Sequence, residues 1–555
     1  FAKININIMK KKVVIIGGVA GGASTAARLR RLEENAEIKI FERGKYISYA
    51  NCGLPYYVGN IIKERDSLLV QTTQKMKKRF NIDIYTLHEV LKIDRANKSL
   101  IIKNLHTNEI FQETYDILVL SSGAEPIMPP IKGIDTADNV FNLRDIPDAD
   151  KIKNFIETKN PKKAVVIGGG FIGIEIADNL FARGLNVTLV EKADQILVQL
   201  DKEMATILHK HIIDKGIELI LFDSVEEFKN NGTKLVLNSG KQIDSDLTIL
   251  SIGVKPESNL AKDAGLDIGI TGGVQVNEYL QTSDESIYAI GDVIEVRDFI
   301  TGLPTLKPLA GPANKQGRIV ANNICGKNEK YLGTIGTSVV KVFDMTAASI
   351  GNNEKMLKKA GIPYETVHIA PPSHATYYPG ATTMFMKLIF DKNNGKIYGA
   401  QAIGYDGVDK RIDVLSTAIM GGMTVMDLQY LELAYAPPFS SAKDPVNMLG
   451  YVATNVIDGD LEIIHCDEFI NLKKDNAVIV DVCEPIEREK GYIDCSINIP
   501  LNDLRNRLDE LPKDKMIYVY CQQGLRSYIA YRILKQNGFN VKSIDGGYRF
   551  YLNYI

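Results

Sequence analysis

The sequence predicts a multidomain α/β protein, because one chain pattern occurs twice and a different α/β pattern closes the chain. A short apolar strand, a glycine-rich turn and a helix follow one another near residue 13 and again near residue 164. The pattern changes at Ile457-Asp458-Gly459-Asp460, where a compact α/β unit of about 95 residues begins. With 555 residues, the chain has room for three to four domains.

The composition limits the classes of partner and compartment. The net charge of -2, from 66 basic and 68 acidic residues, gives no global attraction to nucleic acid or to an anionic membrane. The six cysteines are too widely spaced for a disulfide framework and lack the paired spacing of a metal site, so we predict no bound metal and a cytoplasmic location. No apolar run approaches the roughly 18 residues of a membrane span. Met9 is the expected natural start, with residues 1–8 an extension.

The first glycine turn is predicted to bind a dinucleotide. A strand at residues 13–16 leads into Gly17-Gly18-Val19-Ala20-Gly21-Gly22 and a helix over residues 23–34. This order points the helix N-terminus and free backbone N–H groups at a pyrophosphate. The next strand ends at Glu42, twenty residues after Gly22, where a carboxylate can accept hydrogen bonds from ribose hydroxyls. The candidate cofactor-binding residues of this turn are Gly17, Gly18, Ala20, Gly22 and Glu42.

The second glycine turn repeats the pattern. A strand at residues 164–167 leads into Gly168-Gly169-Gly170-Phe171-Ile172-Gly173, a full GxGxxG motif, and a strand at residues 187–190 ends at Glu191. Two such units predict two dinucleotides. Glu191 favours a free ribose 2′-hydroxyl and hence NADH, while the adjacent Lys192 leaves NADPH open. The candidate residues here are Gly168, Gly170, Gly173 and Glu191.

Three further strand ends accompany the two turns. A strand at residues 116–120 closes in Ser121-Ser122-Gly123-Ala124, and residues 247–256, which include Gly253, have a similar pattern. A strand at residues 287–290 delivers Asp292 into a glycine turn. Each feature alone is an ordinary βα junction, whereas the complete order is specific.

Over residues 9–455 this order resembles the flavoprotein disulfide reductases that bind two dinucleotides. The resemblance implies two Rossmann-like dinucleotide-binding domains, an α+β dimerisation domain and a homodimer. FAD would bind the first glycine turn and NADH or NADPH the second, with Asp292 at the ribityl chain and Ala310 near the flavin ring; Ser122, Gly123 and Gly253 complete the candidate cofactor contacts. The implied boundaries are 9–150 and 280–334 for FAD, 151–279 for NAD(P)H and 335–455 for dimerisation.

The stretch Ser48-Tyr49-Ala50-Asn51-Cys52-Gly53-Leu54-Pro55-Tyr56-Tyr57 supplies the predicted redox centre. No second cysteine lies within ten residues of Cys52, so a local dithiol is excluded. The stretch resembles the single-cysteine branch of the family, which includes coenzyme A disulfide reductases, NADH oxidases and NADH peroxidases. In that resemblance Cys52 is the redox thiol beside Asn51, and we expect a lowered thiol pKa. The oxidases and peroxidases have histidine where this chain has Ala20, which disfavours oxygen or peroxide as the substrate but leaves that activity as the alternative.

Coenzyme A would require fixed cations for its ADP end. By the resemblance to coenzyme A disulfide reductases, four basic residues line the groove that binds this ADP end, and Ser48 lies near the pantetheine. A solvated helix face is the alternative explanation for the first two of the four basic residues. These four are Arg28, Arg31, Lys75 and Arg79.

Two tyrosine segments resemble those that present hydroxyl groups to the cysteine of the other subunit. Tyr435 is the firmer assignment, and either Tyr377 or Tyr378 joins it. A core aromatic position is the alternative explanation.

The last unit has a second candidate cysteine. A strand at residues 517–520 ends at Cys521, which begins the loop Cys521-Gln522-Gln523-Gly524-Leu525-Arg526-Ser527. Backbone N–H groups and a positive helix end around such a loop stabilise a thiolate or persulfide anion, and Arg526 adds charge. Residues 460–555 resemble a rhodanese domain, with Cys521 as sulfur carrier. The four residues between Cys521 and Arg526, rather than the five of tyrosine phosphatases, favour sulfur chemistry.

Two positions depart from the rhodanese pattern. Cys483 stands where rhodaneses usually have arginine, and Cys495 stands where they have a small residue or glycine. These changes predict either weaker binding of anionic substrates or an additional thiol.

The expected activity is NAD(P)H-dependent reduction of coenzyme A disulfide, coenzyme A persulfide or polysulfide. Cys52 would form a mixed disulfide with coenzyme A, and the fused sulfur carrier favours persulfides. The alternative from another class is a sulfur-trafficking module in which the flavoprotein part is only a scaffold.

Overall fold

The computed structural model describes residues 11–472 and 477–555, so Met9 and the expected extension lie outside the described residues. The chain forms two units. The first contains residues up to Lys192 together with Asp223–Gly336, and the second contains Ala193–Phe222 together with Thr337–Ile555. In the part of the chain that is described, no helix is both long and apolar enough to cross a membrane.

Two parallel sheets form the centre of the first unit. Their strands are nearly continuous apolar runs, as expected where helices cover both faces, and Val13, Val14 and Ile15 are completely buried. The first sheet has the strand order Ile287–Ala289, Ile117–Leu120, Lys12–Ile16, Glu37–Glu42, Asp83–Thr86. The second sheet contains, side by side, Asn186–Val190, Lys163–Ile167, Leu247–Leu250 and Val140–Asn142.

Each predicted glycine turn connects a central strand to a helix. Lys12–Ile16 is followed by helix Gly21–Leu32, and Lys163–Ile167 is followed by helix Phe171–Ala182. The first helix begins at Gly21, two residues earlier than predicted, because Gly21 and Gly22 of the turn already have helical geometry. The two predicted strand–turn–helix units are therefore confirmed.

The remaining elements of the first unit are short helices, small antiparallel sheets and the long helix that follows Asp292. Its other helices are Leu54–Val58, Thr73–Phe80, Ile146–Lys159, Asn259–Asp263 and Ala310–Ile324. Its other strands are His88–Asp94, Ser99–Asn104, Ile110–Thr114, Ala124–Pro126, Val225–Lys229, Lys234–Leu237, Gln242–Asp244, Val254–Pro256, Val296–Arg297 and Pro304–Thr305.

The second unit contains an antiparallel sheet followed by a parallel one. The antiparallel sheet has the order Ser338–Val342, Met345–Gly351, Ile397–Gly404, Phe385–Phe390, Glu365–Ile369. Helices Val408–Met420 and Pro445–Ile457 pack against it, which gives the α+β arrangement expected for this region. The parallel sheet has the order Ile463–Ile464, Asn540–Ile544, Met516–Tyr520, Ala477–Asp481, Ile497–Asn498.

Cys521 directly follows the central strand Met516–Tyr520, at the carboxyl edge where parallel sheets place their ligand sites. Helix Leu525–Gln536 begins four residues later. The other α-helices and strands described in the second unit are Lys202–Asp214, Glu218–Ile220, Glu354–Ala360, Cys466–Asn471, Pro485–Arg488 and Gly547–Tyr551.

Candidate functional site

The first glycine turn is closed tightly by its own backbone. Gly17 has a φ of +93°, and a Cβ atom there would lie 2.1 Å from the Ser121 carbonyl oxygen. A Cβ at Gly22 would lie 1.9 Å from the Gly17 oxygen, so only glycine allows the helix to approach the strand. Glu42 is held at this turn, because its carboxylate accepts hydrogen bonds from the Gly18 N–H at 2.8 Å and the Gly44 N–H at 2.7 Å.

The second turn repeats this geometry. Gly168 has a φ of +105°, and its Cβ would lie 2.4 Å from the Ser251 oxygen. A Cβ at Gly173 would lie 1.9 Å from the Gly168 oxygen. Glu191 accepts a hydrogen bond from the Gly169 N–H at 2.6 Å, as Glu42 does from Gly18.

Both turns fit the dinucleotides that the sequence predicts. Helices Gly21–Leu32 and Phe171–Ala182 have no side-chain cap, so their first N–H groups remain available to a phosphate. A Cβ added at Gly170 or Gly311 would meet only open space, which leaves room for a ligand to approach the backbone. Ala20 is the N-cap residue of the first helix and contributes no polar group there.

Of the predicted flavin contacts, Asp292 lines a small pocket of the first unit, whereas Ala310 does not. Gly291, Asp292, Pro312 and Ala313 line it together with Lys307, which sequence reasoning missed. Burial raises the pKa of Asp292, and Arg144 opposes this effect. Burial lowers the pKa of Lys307.

The remaining candidate cofactor residues lie at turns or at a helix start. Ser122 donates from Oγ to the Glu257 carbonyl oxygen at 3.0 Å. Gly123 and Gly253 have φ values of +77° and +110°, which glycine adopts without strain. Ala310 begins the long helix Ala310–Ile324.

Cys52 lies in the 3₁₀ turn Asn51–Gly53, just before helix Leu54–Val58. The residue as a whole is exposed to solvent, yet neighbouring atoms keep much of the water away from its sulfur. This desolvation, followed by the negative charge of Glu175, raises the pKa of Cys52; Asp292 raises it further. The protein groups around Cys52 thus raise rather than lower its pKa, chiefly because the thiol is desolvated and then because carboxylates face it.

Glu175 is the principal residue near Cys52 that the sequence did not reveal. It accepts a hydrogen bond from the Tyr56 hydroxyl at 3.1 Å, and burial raises the pKa of its own carboxyl. One sequence signal could have identified Glu175. It lies two residues after Gly173, in the first turns of a helix that follows a glycine motif.

The four candidate coenzyme A cations lie on two neighbouring helices. Arg28 and Arg31 belong to helix Gly21–Leu32, and Lys75 and Arg79 belong to helix Thr73–Phe80. Arg31, Lys75 and Arg79 are exposed. Arg28 is half-buried and donates from Nε to Asn322 Oδ1 at 3.0 Å, so it is not simply a solvated residue.

Arg30, which the sequence analysis passed over, joins these two helices. It is buried and donates to the backbone oxygens of Phe80 at 2.7 Å and Asn81 at 2.9 Å. Ser48 lies near the first glycine turn, since its N–H donates to the Gly18 oxygen at 2.9 Å.

Tyr377, rather than Tyr378, is hydrogen-bonded to Tyr435. Their hydroxyl oxygens are 2.6 Å apart, whereas Tyr378 instead packs edge-on against His374. Tyr377 and Tyr435 are 74% and 46% exposed, so neither is a core aromatic of this chain. The hydrogen bond to Tyr435 raises the pKa of Tyr377.

The Cys521 loop provides the expected anion-stabilising backbone. The Gly524 N–H donates to Cys521 Sγ at 3.1 Å, and Ser527 Oγ lies 3.8 Å from that sulfur. Gly524 has a φ of +103°, a conformation that favours glycine and turns its N–H toward the thiol.

Arg526 has a partner that sequence reasoning missed. Its guanidinium group makes two hydrogen bonds to Glu487, at 2.5 and 2.7 Å, which offset part of its charge. It also lies 3.8 Å from Cys483 Sγ. Arg526 therefore lies at the cysteine loop, but not as an unpaired cation.

The two unusual cysteines of this domain differ in environment. Cys483 is buried, and this burial together with Asp481 raises its pKa, so it is a neutral thiol near pH 7. Cys495 is exposed with a φ of +64°, a conformation that glycine adopts without strain and other residues rarely adopt.

Three family descriptions match the chain. "Pyridine nucleotide-disulphide oxidoreductase" matches residues 11–317, its dimerisation domain matches residues 337–445, and "Rhodanese-like domain" matches residues 466–553. A coenzyme A disulfide reductase of Staphylococcus haemolyticus is 38% identical over 447 residues, which cover 80% of this chain and 100% of that protein.

Two solved structures are similar over nearly the whole chain. The reduced CoADR-RHD of Bacillus anthracis is 54% identical with a TM-score of 0.97, and 98% of each chain is covered. An NAD-dependent persulfide reductase from A. fulgidus is 43% identical with a TM-score of 0.91, covering 97% of this chain and 99% of that one.

Proposed function

The chain belongs to the pyridine nucleotide-disulphide oxidoreductase family, and from this premise we propose that it reduces coenzyme A disulfide and coenzyme A persulfide through Cys52. As a member of this family it is an FAD- and NAD(P)H-dependent oxidoreductase with a fused rhodanese-like domain. The single observation that supports the substrate class is the isolation of Cys52, which has no second cysteine within ten residues. A lone redox thiol can form a disulfide only with a thiol from outside its own loop, and the basic residues of helices Gly21–Leu32 and Thr73–Phe80 suit the anionic end of coenzyme A.

The chain's own residues have the following proposed roles. The thiolate of Cys52 attacks the inner sulfur of coenzyme A persulfide, breaking the S–S bond, releasing HS⁻ and forming a Cys52–coenzyme A mixed disulfide. When bound, FAD and NAD(P)H supply the two electrons that return this disulfide to the Cys52 thiolate and coenzyme A. Arg28, Arg31, Lys75 and Arg79 bind the anionic end of coenzyme A.

Replacement of Cys52 tests this function. Cys52→Ser should retain FAD and still be reduced by NADH, but should lose turnover with coenzyme A disulfide. Stopped-flow measurement of flavin reduction, alongside steady-state turnover, separates the two steps. Unchanged turnover in Cys52→Ser would refute the assignment.

We also propose that the active form is a homodimer in which each copy presents Tyr377 and Tyr435 to the Cys52 of the other. This arrangement is supported by the match to the dimerisation domain and by four exposed aromatic side chains of the second unit. Those side chains are Tyr377, Tyr430, Tyr435 and Phe439.

The proposed nicotinamide preference is for NADH. Glu191 lies at the end of strand Asn186–Val190 and is fixed by the Gly169 N–H, so its charge would repel a ribose 2′-phosphate. The exposed Lys192 weakens this preference. Oxygen or peroxide reduction is disfavoured, because Ala20 places no imidazole in the first glycine turn.

The cysteine loop supports a second function, sulfur transfer by Cys521. The Gly524 N–H aimed at its sulfur stabilises a persulfide anion, which could pass its outer sulfur to the coenzyme A thiolate. Cys521→Ser should spare reduction of coenzyme A disulfide and lower NADH-dependent release of sulfide from polysulfide. Equal sulfide release by Cys521→Ser and the wild type would instead indicate an independent module that only shares the chain.

A further inference from the structure

A cavity of about 230 Å³ lies within the second unit, between the dimerisation domain and the rhodanese-like domain. Pro371, Met448 and Val452 contribute to one wall, and Gln523, Gly524 and Leu525 contribute to the other. Since the Gly524 N–H also donates to Cys521 Sγ, this second wall is part of the sulfur-carrier loop.

The walls of this cavity are suited to a mainly apolar organic group. Proline, methionine, valine and leucine side chains provide the carbon surface. Lys443 also lines the cavity and has no ion-pair partner within residues 11–472 and 477–555, so it is available to an anionic end of the ligand.

A buried ion pair joins the two walls. His368 of the dimerisation domain and Asp545 of the rhodanese-like domain both line the cavity, and His368 Nδ1 is 2.6 Å from Asp545 Oδ2. His368 Nε2 lies 3.2 Å from Glu203 Oε1, and His465 Nδ1 lies 3.2 Å from the same Asp545 oxygen. Burial opposes the charged imidazole, but Asp545 and Glu203 raise the pKa of His368, which favours its charged form.

The charges around this pair form one connected network. Lys387, which is completely buried, lies 2.5 Å from Glu203 and 2.9 Å from Asp201, and also contacts Glu354. His465 lies 2.8 Å from Glu365. Cys466 and Tyr554 also face this region, Tyr364 and Lys358 contact Glu354, and Lys392 contacts Glu365. Each ring nitrogen of His368 and His465 has a carboxylate partner, so the histidines and carboxylates of this network are paired with one another.

Asp545 is directly connected to the cysteine loop. It precedes the turn Gly546–Gly547 and helix Gly547–Tyr551. The Tyr548 N–H of this helix donates to the Cys521 oxygen at 2.8 Å, and the Arg549 N–H donates to the Gln522 oxygen at 3.2 Å. A shift of Asp545 would therefore move the backbone that holds Cys521.

We propose that the sulfur-carrier site is composite, with the dimerisation domain forming one wall of a binding site for the organic part of an apolar, anionic persulfide. In this arrangement His368 is a positioning residue, which holds Asp545 and with it the Cys521 loop against that wall. The inference rests on the proposed sulfur transfer by Cys521 and names its donor class.

The proposed sulfur transfer from the persulfide to Cys521 needs no further reactant. The Cys521 thiolate attacks the outer sulfur of R–S–SH, the S–S bond of the donor breaks, and R–S⁻ leaves while Cys521–S–SH forms. The cavity would hold R, while the loop N–H groups hold the reacting sulfur.

Filling the cavity in the full-length holoenzyme tests the donor site. Met448→Trp should lower kcat/KM for the persulfide of mercaptohexanoic acid about tenfold relative to that for inorganic tetrasulfide, which has no organic part to bind. Met420→Trp is the matched control, because Met420 ends helix Val408–Met420 and does not line the cavity. An unchanged ratio of the two donors in Met448→Trp, or an equal loss with both, would overturn the composite site.

The ion pair is tested by a charge-matched pair of variants. His368→Gln should lower the same donor ratio about tenfold, because it removes the shorter of the two contacts between Asp545 and a histidine and the one that reaches the dimerisation domain. The double variant His368→Gln/Asp545→Asn should recover part of this loss, because the carboxylate that lost His368 is then neutral, while Glu203 and His465 keep Lys387 and Glu365 as partners. Failure of the double variant to recover any of the ratio would overturn the positioning role.

Cys521→Ser separates failure of this inference from failure of the proposed function. If sulfide release by the wild type does not depend on Cys521, the sulfur-carrier function itself is wrong. If release depends on Cys521 but Met448→Trp leaves the donor ratio unchanged, only the composite site is wrong.

Discussion

At the scale of single residues, the environment of Cys52 is the main unexpected finding. Desolvation and the carboxylates of Glu175 and Asp292 raise its pKa, so the protein groups described around it favour the neutral thiol. A ligand that brings positive charge or hydrogen-bond donors to the proposed redox thiol would lower this pKa.

The charge of Glu175 gives the first testable prediction. Glu175→Gln removes the nearest negative charge that opposes ionisation, so the pKa of Cys52 should fall. The pH profile of Cys52 alkylation by iodoacetamide should move to lower pH in the holoenzyme. Asp178→Asn, on the same helix, is a suitable control. A Glu175→Gln profile that stays in place or moves to higher pH would contradict this explanation.

The tyrosine pair gives a second prediction at this scale. Tyr435→Phe removes the 2.6 Å hydrogen bond to Tyr377 and the proposed proton donor to the departing coenzyme A thiolate. The disulfide step should slow by about 100-fold, while flavin reduction by NADH should keep its rate. Single-turnover kinetics resolves the two steps. Wild-type rates in both would assign Tyr435 a structural role only.

At the scale of elements, the two strand–turn–helix units use glycine for two different physical reasons. At Gly22 and Gly173 an added Cβ would lie 1.9 Å from a backbone oxygen, so those glycines are required by helix packing. At Gly170 and Gly311 a Cβ would meet no atom of the described residues within 4 Å, chain neighbours and the helix's own backbone aside. We therefore expect the second pair to serve ligand binding rather than the fold.

Alanine at the open glycines tests this distinction. Gly170→Ala should raise the KM for NADH about tenfold without lowering Tm, because its φ of -77° suits alanine and only a bound dinucleotide would meet the new methyl group. Gly311→Ala should instead weaken FAD retention. Thermal unfolding, NADH kinetics and flavin release provide the measurements. A loss of Tm in Gly170→Ala with an unchanged KM would reverse the assignment of that glycine.

At the scale of the whole molecule, the second unit is more than a dimerisation domain with a separate appendage. The network around Lys387, His368 and Asp545 joins helix Lys202–Asp214, the antiparallel sheet and the last domain. Removing one partner of such a buried pair typically costs about 3–5 kcal/mol, because the remaining charge is uncompensated. The rhodanese-like domain is thus held in a defined position within this unit.

This network predicts a pH-dependent stability of the docked domain. Although burial opposes its charge, hydrogen bonds to Asp545 and Glu365 raise the pKa of His465 to about 10. Because the pKa of His465 is higher in the folded protein than in the unfolded chain, its charge stabilises the folded state. This stabilisation is complete below the unfolded-chain pKa of about 6.5 and is lost as the pH rises through about 10. Hydrogen exchange of helix Gly547–Tyr551, corrected for intrinsic rates, should show falling protection across this range.

His465→Gln supplies the control for this pH dependence. The variant should start about 2 kcal/mol less stable near neutral pH, since it loses a charged hydrogen-bonded group. Its protection should then change less between pH 6.5 and 10 than that of the wild type. Protection that rises with pH in the wild type would show that the sign of the linkage is wrong.

The sequence by itself determined the elements whose signals are local. Glycine turns between an apolar strand and a helix predicted both nucleotide-binding units, and the Cys521 loop predicted the sulfur-carrier fold, because a tight turn constrains neighbouring residue types. Resemblance over the same motifs identified the family. The individual roles of the candidate site residues stay predictions that the variants above test.

Only the tertiary structure decided which charged groups meet. Glu175 is 123 positions from Cys52 in the sequence, and Glu487 is 39 positions from Arg526, yet each pair shares one environment. The His368–Asp545 pair spans 177 positions and two domains. No local pattern marks such partners, because the energy of a charge depends on its burial and on every charge nearby after folding. That is why the direction of the Cys52 pKa and the composite sulfur-carrier site required the folded chain.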